Sequence, residues 1–385
     1  MPTAPAHLPP PASPTLVADV RGLRALARRL KRKQRIALDT EAASFHRYVD
    51  RVYLVQISSD DETALIDPLA VDDLGPIGAL LADPEIETIF HDADYDLRIL
   101  HRDYGFRGKR VWDTRIAAQL AGESAVGLGA LLEKHFGITL SKKLQRADWS
   151  RRPLTEAMIA YAAADTAYLP PLRDALAARL ERLGRLSWAE EEFRRLELVR
   201  WTQLDQSEGF LRIKGAKALA QRALAILKRL WEWRESTAAR LDRAPFRVLG
   251  NEALMALART APERVSELEK IAVVPSSAVH RYGKQLLSAI EAGRQTPKED
   301  WPKVRRAPRR PSDPQAEARY QSLRALRAER AKAVALDPGL LCPNGTLQAI
   351  ARAAPQNSHD LDQIAELRSW QREALGKKAI LRAAK

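Results

Sequence analysis

The sequence predicts an α/β domain with a mixed sheet, followed by two all-α helical domains. Three observations carry that expectation. Short apolar runs alternate with helix-spaced segments as far as about residue 195; beyond Leu186 the strand signal fades into amphipathic helix; and within that helical half a residue pattern recurs 93 positions later. The 385 residues allow two to three domains at roughly 150 residues each.

Residues 1–14 hold six prolines and almost no large apolar side chain, so they are expected to be a disordered tail. A catalytic-sized domain spans 15–195. Thr15–Val17 is β-prone, Val20–Leu30 has helical spacing, and Arg35–Leu38 runs apolar into Asp39. Val52–Ile57 and Ala64–Ile66 follow, and these last three runs are expected to lie side by side in one sheet. Then come a helix near Leu74–Leu81, a strand at Thr88–Phe90, and helices at Tyr95–Tyr104, Thr114–Ala121, Val126–Phe136 and Thr155–Leu183. Asp113 reads as the cap of the helix that begins at Thr114, and Asp92 or Asp94 as the cap of the one before it.

The helical half divides into 205–295 and 316–385. Asn251, Leu254, Ala258, Arg259 and Pro262 align with Asn344, Leu347, Ala351, Arg352 and Pro355, and the same offset carries Gly283-Lys284 onto Gly376-Lys377. Between the copies, 296–315 is rich in Pro and Arg, the composition of an extended basic linker.

Charge narrows the function classes. Lys and Arg number 63 against 49 acids, a net +14, which suits a polyanionic partner. No apolar run approaches the roughly 18 to 20 residues that span a bilayer, and no secretory signal pattern opens the chain, so a soluble cytoplasmic protein is expected, with no membrane role. One cysteine, Cys342, excludes a disulfide framework and a Cys-based zinc cluster. No G-x-x-x-x-G-K-[ST] occurs, so no ATP chemistry is expected.

The chemistry concentrates in the acids. Asp39 and Glu41 stand at i and i+2, on one face of a strand end. Asp96 lies just inside a helix that follows another short strand, able to face the sheet, and Tyr161 and Asp165 sit four apart on an alanine-rich helix. Four carboxylates carry −4, matching two divalent cations, and oxygen ligands favour Mg²⁺ or Mn²⁺. Two metals beside a water are a known arrangement for phosphodiester hydrolysis.

Leu38-Asp39-Thr40-Glu41, His91-Asp92-Ala93-Asp94-Tyr95-Asp96-Leu97 and Tyr161-Ala162-Ala163-Ala164-Asp165 resemble the three motifs of the DEDD exonucleases, in the branch with tyrosine in the third motif. The segment Gln145–Leu154 resembles the ribonuclease D family closely, and the two helical units resemble HRDC domains. The resemblance covers about residues 15–385. It implies a ribonuclease H-like fold and 3′→5′ removal of nucleoside 5′-monophosphates from RNA, with tRNA precursors as substrate; a monomer is expected. It also implies metal-binding roles for Asp39, Glu41, Asp96 and Asp165, with Tyr161 positioning the attacking water. Where the family has a bulky residue after the first-motif Glu, this chain has Ala42 and Ala43, with Phe45 following.

Substrate contacts are expected from His46 and Tyr48, with Arg47 between them, in the loop after the first motif. Gln56 is a further candidate, as a polar residue inside an apolar strand; so are Lys142, Lys143, Arg146, Arg151 and Arg152, a dense basic segment beside the third motif. A DNA-directed 3′→5′ exonuclease would use the same acids; a non-catalytic nucleic-acid-binding protein would keep the charge but need not keep all five motif residues.

Overall fold

A computed structural model of the chain describes residues 8, 13–203, 207–304 and 313–385. Most of the Pro-rich start, and residues 305–312 of the Arg-rich linker, lie outside the described residues.

Six strands build one sheet: β1 (Thr15–Val17), β2 (Arg35–Ala42), β3 (Val52–Ser58), β4 (Thr63–Ile66), β5 (Glu87–Phe90) and β6 (Val111–Asp113), in the order β1-β4-β3-β2-β5-β6. β3 alone runs against its neighbours, so the sheet is mixed, and β2, β3 and β4 are adjacent as their sequence suggested. β6 carries too few residues to show a period, and the sequence reading passed over it; it pairs in parallel with β5 through Thr88–Val111 and Ile89–Trp112.

Alternation along β2 sorts its side chains between two faces. Ile36 and Leu38 join a core with α1 (Val20–Leu30), α2 (Gly75–Leu81) and α3 (Asp94–Tyr104). Ala37 joins the opposite core, with α4 (Thr114–Leu120), α5 (Leu128–Phe136), α7 (Leu169–Arg182) and α8 (Leu186–Leu196). α6 (Glu156–Ala167) lies across β2, β3 and β4. The single helix expected over Thr155–Leu183 is two, meeting at Tyr168: Pro170 and Pro171 lack the N–H that would continue α6, and both suit the first turn of a new helix. Asp113 caps α4, accepting from Arg115 N and Ile116 N, but neither Asp92 nor Asp94 caps α3. That helix starts at Ala93, whose N–H donates to Asp113 Oδ2 at 2.7 Å, while Asp92 turns away at φ 75° to pair with Arg115.

The first helical copy comprises α9 (Gln221–Leu241), α10 (Pro245–Val248), α11 (Asn251–Thr260), α12 (Val265–Leu268) and α13 (Ser276–Arg294). The second comprises α14 (Pro314–Ala333), α15 (Pro338–Leu341), α16 (Asn344–Ala353), α17 (Ser358–Asp362), α18 (Ser369–Leu375) and α19 (Lys377–Ala383). Both copies use the same internal tie. Arg234 donates to Leu249 O and Asn251 Oδ1; Arg327, at the same offset of 93, donates to Cys342 O and Asn344 Oδ1. Each tie spends one guanidinium nitrogen on two acceptors and fixes the start of the next helix.

The copies differ in what they rest on. The first has a core of its own. The second shares one with α4, α5, α7 and α8: Trp188 stacks on Trp370 at 5.4 Å, Trp370 Nε1 donates to Glu192 at 2.6 Å, and Glu191 accepts the N–H groups of Ser369 and Trp370.

Candidate active site

β2 ends where chemistry begins. Asp39 and Glu41 follow the parity of Ala37 and so face α6, which brings Tyr161 and Asp165 on consecutive turns to the same place. Ligand oxygens of Asp39, Glu41 and Asp165 lie within 4.8 Å of one another. A register shift in the β2–β3 ladder falls directly after Glu41, the kind of irregularity that re-aims a side chain beside a site.

Asp96 arrives from the other face. Thr40 points toward α3, and its N–H (3.1 Å) and its hydroxyl both donate to Asp96 Oδ1. That fixes one carboxylate oxygen. The acids therefore close on the end of β2 from two layers of the domain.

Their electrostatics is that of anions crowded without a counter-charge. Burial, then the charge of Asp165, pushes Asp39 up to about 8. Burial pushes Asp165 up to about 7, against a hydrogen bond from the Tyr161 hydroxyl. Glu41 and Asp96 are raised well above the ordinary carboxylate range, first by burial and then by Asp39. The Tyr161 hydroxyl is held protonated by burial and by the neighbouring acids. A set of hard oxygen donors that keep their protons because burial, and for Asp39, Glu41 and Asp96 also neighbouring negative charge, disfavours ionisation fits divalent cations.

Asp39, Glu41 and Asp165 open, with Tyr161, into a cleft of about 590 Å³ also lined by His91, Arg115, Gly127, Lys142 and Gln145, while Asp96 stays buried behind them. His91 has a defined tautomer. The Thr114 hydroxyl spends its proton on Phe90 O at 3.0 Å, so it accepts from His91 Nδ1 at 2.8 Å and leaves Nε2 as an acceptor. Burial and Arg115 push this imidazole down to about 4, keeping it neutral. His91 and Arg115 were not singled out as site residues from sequence; the histidine stood inside the second motif, and position alone did not separate it from its neighbours.

The expected substrate contacts divide. Lys142, Lys143, Arg146 and Arg151 are exposed, and Lys142 lines the cleft. Arg152 is spent: its five N–H groups go to Asp67 (twice), Tyr53 O, Trp149 O and Arg151 O, so it braces the loop that carries the fully buried Trp149 against Tyr161. His46 and Tyr48 lie at a seam with the first helical copy, which their backbones contact. His46 Nε2 bonds Arg146 O at 2.9 Å, its carbonyl accepts from Ala244 N, and Tyr48 N donates to Asp242 at 3.2 Å. Arg47 ties the same seam, to Ser150 Oγ at 2.6 Å and to Asp242 at 3.2 Å. Gln56 is fully buried directly across the ladder from Asp39, with neither amide atom hydrogen-bonded.

Comparison with known proteins agrees with this geometry. A 3′-5′ exonuclease family model matches residues 14–181, and an HRDC domain model matches 223–290 and 316–383. Ribonuclease D of Granulibacter bethesdensis is 32% identical over 371 residues, covering 96% of this chain and 92% of that protein. The chain belongs to the ribonuclease D family. Ribonuclease D of Escherichia coli is 34% identical over 268 residues, and its crystal structure superposes with a TM-score of 0.71 at 28% identity, covering 97% of this chain and 98% of that one. The catalytic core of RRP6 from Trypanosoma brucei matches at a TM-score of 0.66 and 28% identity, over 76% of this chain and 82% of its own. As a ribonuclease D-type protein the chain is a 3′→5′ exoribonuclease, which decides between the three function classes the sequence left open. Among its described residues no helix is long and apolar enough to cross a membrane.

Proposed function

We propose that the enzyme trims the 3′ ends of tRNA precursors in the cytoplasm, as a monomer, by two-metal hydrolysis that releases nucleoside 5′-monophosphates. The observation that carries the chemistry is the convergence of Asp39, Glu41 and Asp165 with Tyr161 on one face of β2, while Asp96 closes from the other. Two ions, Mg²⁺ or Mn²⁺, held by the four acids would supply a sharpened water and charge stabilisation at the departing 3′ oxygen.

The remaining work falls to the protein. Tyr161, protonated and bonded to Asp165, orients the attacking water. Thr40 holds one oxygen of Asp96, so that carboxylate keeps its aim. Lys142, Lys143, Arg146 and Arg151 offer phosphate contacts along the approach to the cleft. The tRNA assignment draws support from the Escherichia coli relative, described as an exoribonuclease involved in structured RNA processing.

Incubation with a 3′-tailed tRNA and a matched DNA, in Mg²⁺ or Mn²⁺ with and without EDTA, tests this reading. RNA is shortened from its 3′ end, EDTA stops it, and Asp39→Asn abolishes most turnover while RNA binding persists. An Asp39→Asn protein that trims at the wild-type rate sinks the metal assignment; equal action on DNA sinks the substrate.

A further inference from the structure

The seam between the loop after β2 and the first helical copy carries a feature its structural role does not explain. Phe45 is 43% exposed and Phe246 is 53% exposed, yet their rings meet edge to face, with centroids 6.2 Å apart. Val49 (57% exposed) and Leu241 (36% exposed) flank the Tyr48–Asp242 contact at the same seam. An interface that served only to hold two domains together would bury such rings, because exposed aromatic surface forfeits the burial that stabilises a seam.

The surroundings say what the rings face. Arg146 lies over the Phe45 ring at 5.0 Å and, among the described residues, its guanidinium makes no ion pair or hydrogen bond. Arg247 donates through Nε to Phe45 O at 2.5 Å, pinning the backbone beneath the ring. Phe45 is four residues past Glu41, and Arg146 follows Gln145, which lines the catalytic cleft. Exposed rings beside an uncommitted cation, close in sequence to residues that line the nuclease cleft, match single-stranded nucleic acid, whose bases have π faces and whose backbone is anionic.

We propose that Phe45 and Phe246, with Arg146, form a stacking ledge for bases of the RNA 3′ strand as it enters the cleft, so that the first helical copy contributes a side chain to the substrate track. The inference rests on the reading of the cleft as the site of RNA trimming. Each stacked base is gripped without regard to its identity, which suits an enzyme that must advance one nucleotide at a time through any tail.

The test uses the full chain in an Asp165→Asn background, where cutting is blocked, and 12-nucleotide RNAs carrying 2-aminopurine at successive positions from the 3′ end. One or two neighbouring positions show quenching on binding. Phe246→Ala removes that quenching and weakens binding about tenfold, with the slope of log affinity against log salt unchanged because no charge is lost. Phe246→Trp restores both. Phe246→Leu, which keeps apolar volume, serves as the folding control and shows the weakening without a lowered Tm. Wild-type quenching in Phe246→Leu overturns the ledge, as does a profile that Phe246→Ala leaves unaltered. Trimming of unlabelled RNA by the otherwise unaltered chain separates the two readings: if it trims and the ledge variants bind normally, only the ledge falls; if it neither binds nor trims RNA, the trimming reading falls with it.

Discussion

The two helical copies share a fold, an offset and a buried arginine tie, but they have opposite relations to the catalytic domain. The first keeps its own core and touches that domain through polar and aromatic contacts around residues 45–48. The second has no separate core; Leu323, Leu341, Leu347 and Trp370 belong to the same buried cluster as Trp112, Leu131 and Trp188. Even the repeated glycine is used differently. Gly283 sits within the continuous helix α13, whereas Gly376, at φ 84°, breaks the corresponding stretch into α18 and α19. Duplicated sequence thus preserves the internal scaffold of a module, while its exterior decides whether it becomes part of a core or a neighbour that can carry ligand contacts.

The comparison breaks most visibly at the second seam. Trp370→Ala removes a buried ring, its stack on Trp188 and the Glu192 hydrogen bond, so it is expected to cost about 3–5 kcal/mol and to lower the melting of the catalytic unit together with its RNA-trimming activity. Unchanged thermal stability would show that the second copy is merely appended. The arginine ties sharpen the contrast. Arg327→Ala and Arg234→Ala each leave a buried backbone carbonyl without its donor and are expected to cost about 2 kcal/mol, but in different places. Arg327→Ala lowers the transition that takes catalytic activity with it; Arg234→Ala lowers a separate transition, visible by calorimetry, after which short RNA is still hydrolysed. One shared transition in both variants would refute the division.

A smaller effect assigns the acids to the same unit. Asp39 and Asp165 have folded-state values near 8 and 7, above those of an unfolded carboxylate. The folded state therefore holds the extra protons, and the stability they lend is complete below about pH 4 and lost as pH rises through 7 to 8. In EDTA the catalytic transition is expected to fall in temperature from pH 5 to pH 9 while that of the first copy follows it less. Mg²⁺ should restore more at pH 9 than at pH 5. An EDTA profile flat across this range would contradict the burial and crowding of the acids.

Much of this was legible before the structure. Asp39 and Glu41 could be placed on one face because strand parity is strict, and Tyr161 and Asp165 because helical spacing is. Asp96 could be turned inward but not assigned its partner: that Thr40, between the two acids, holds it from the opposite face depends on how α3 crosses the sheet. The basic residues were the least legible. Arg151 and Arg152 are identical in sequence terms, and only the fold shows that one is exposed while the other spends every N–H on Asp67 and three carbonyls. His46 and Tyr48 read as loop residues open to substrate because their true neighbours, Asp242 and Ala244, are almost 200 positions away. β6 is three residues long, and its strand character comes from β5 alone.

The shared core has one more consequence. Residues 13–203 and 313–385 close around common buried side chains, while 207–304 bury their own, so the first copy is an insertion within a domain that is discontinuous along the chain. Order of synthesis and order of assembly then differ. A ribosome would deliver the catalytic motifs first, yet α4, α7 and α8 would wait with half a surface uncovered until the last seventy residues emerged, the inserted module having folded in between. Cutting the chain on both sides of that module should leave a two-piece nuclease held together by its interior, with the excised module folded alone.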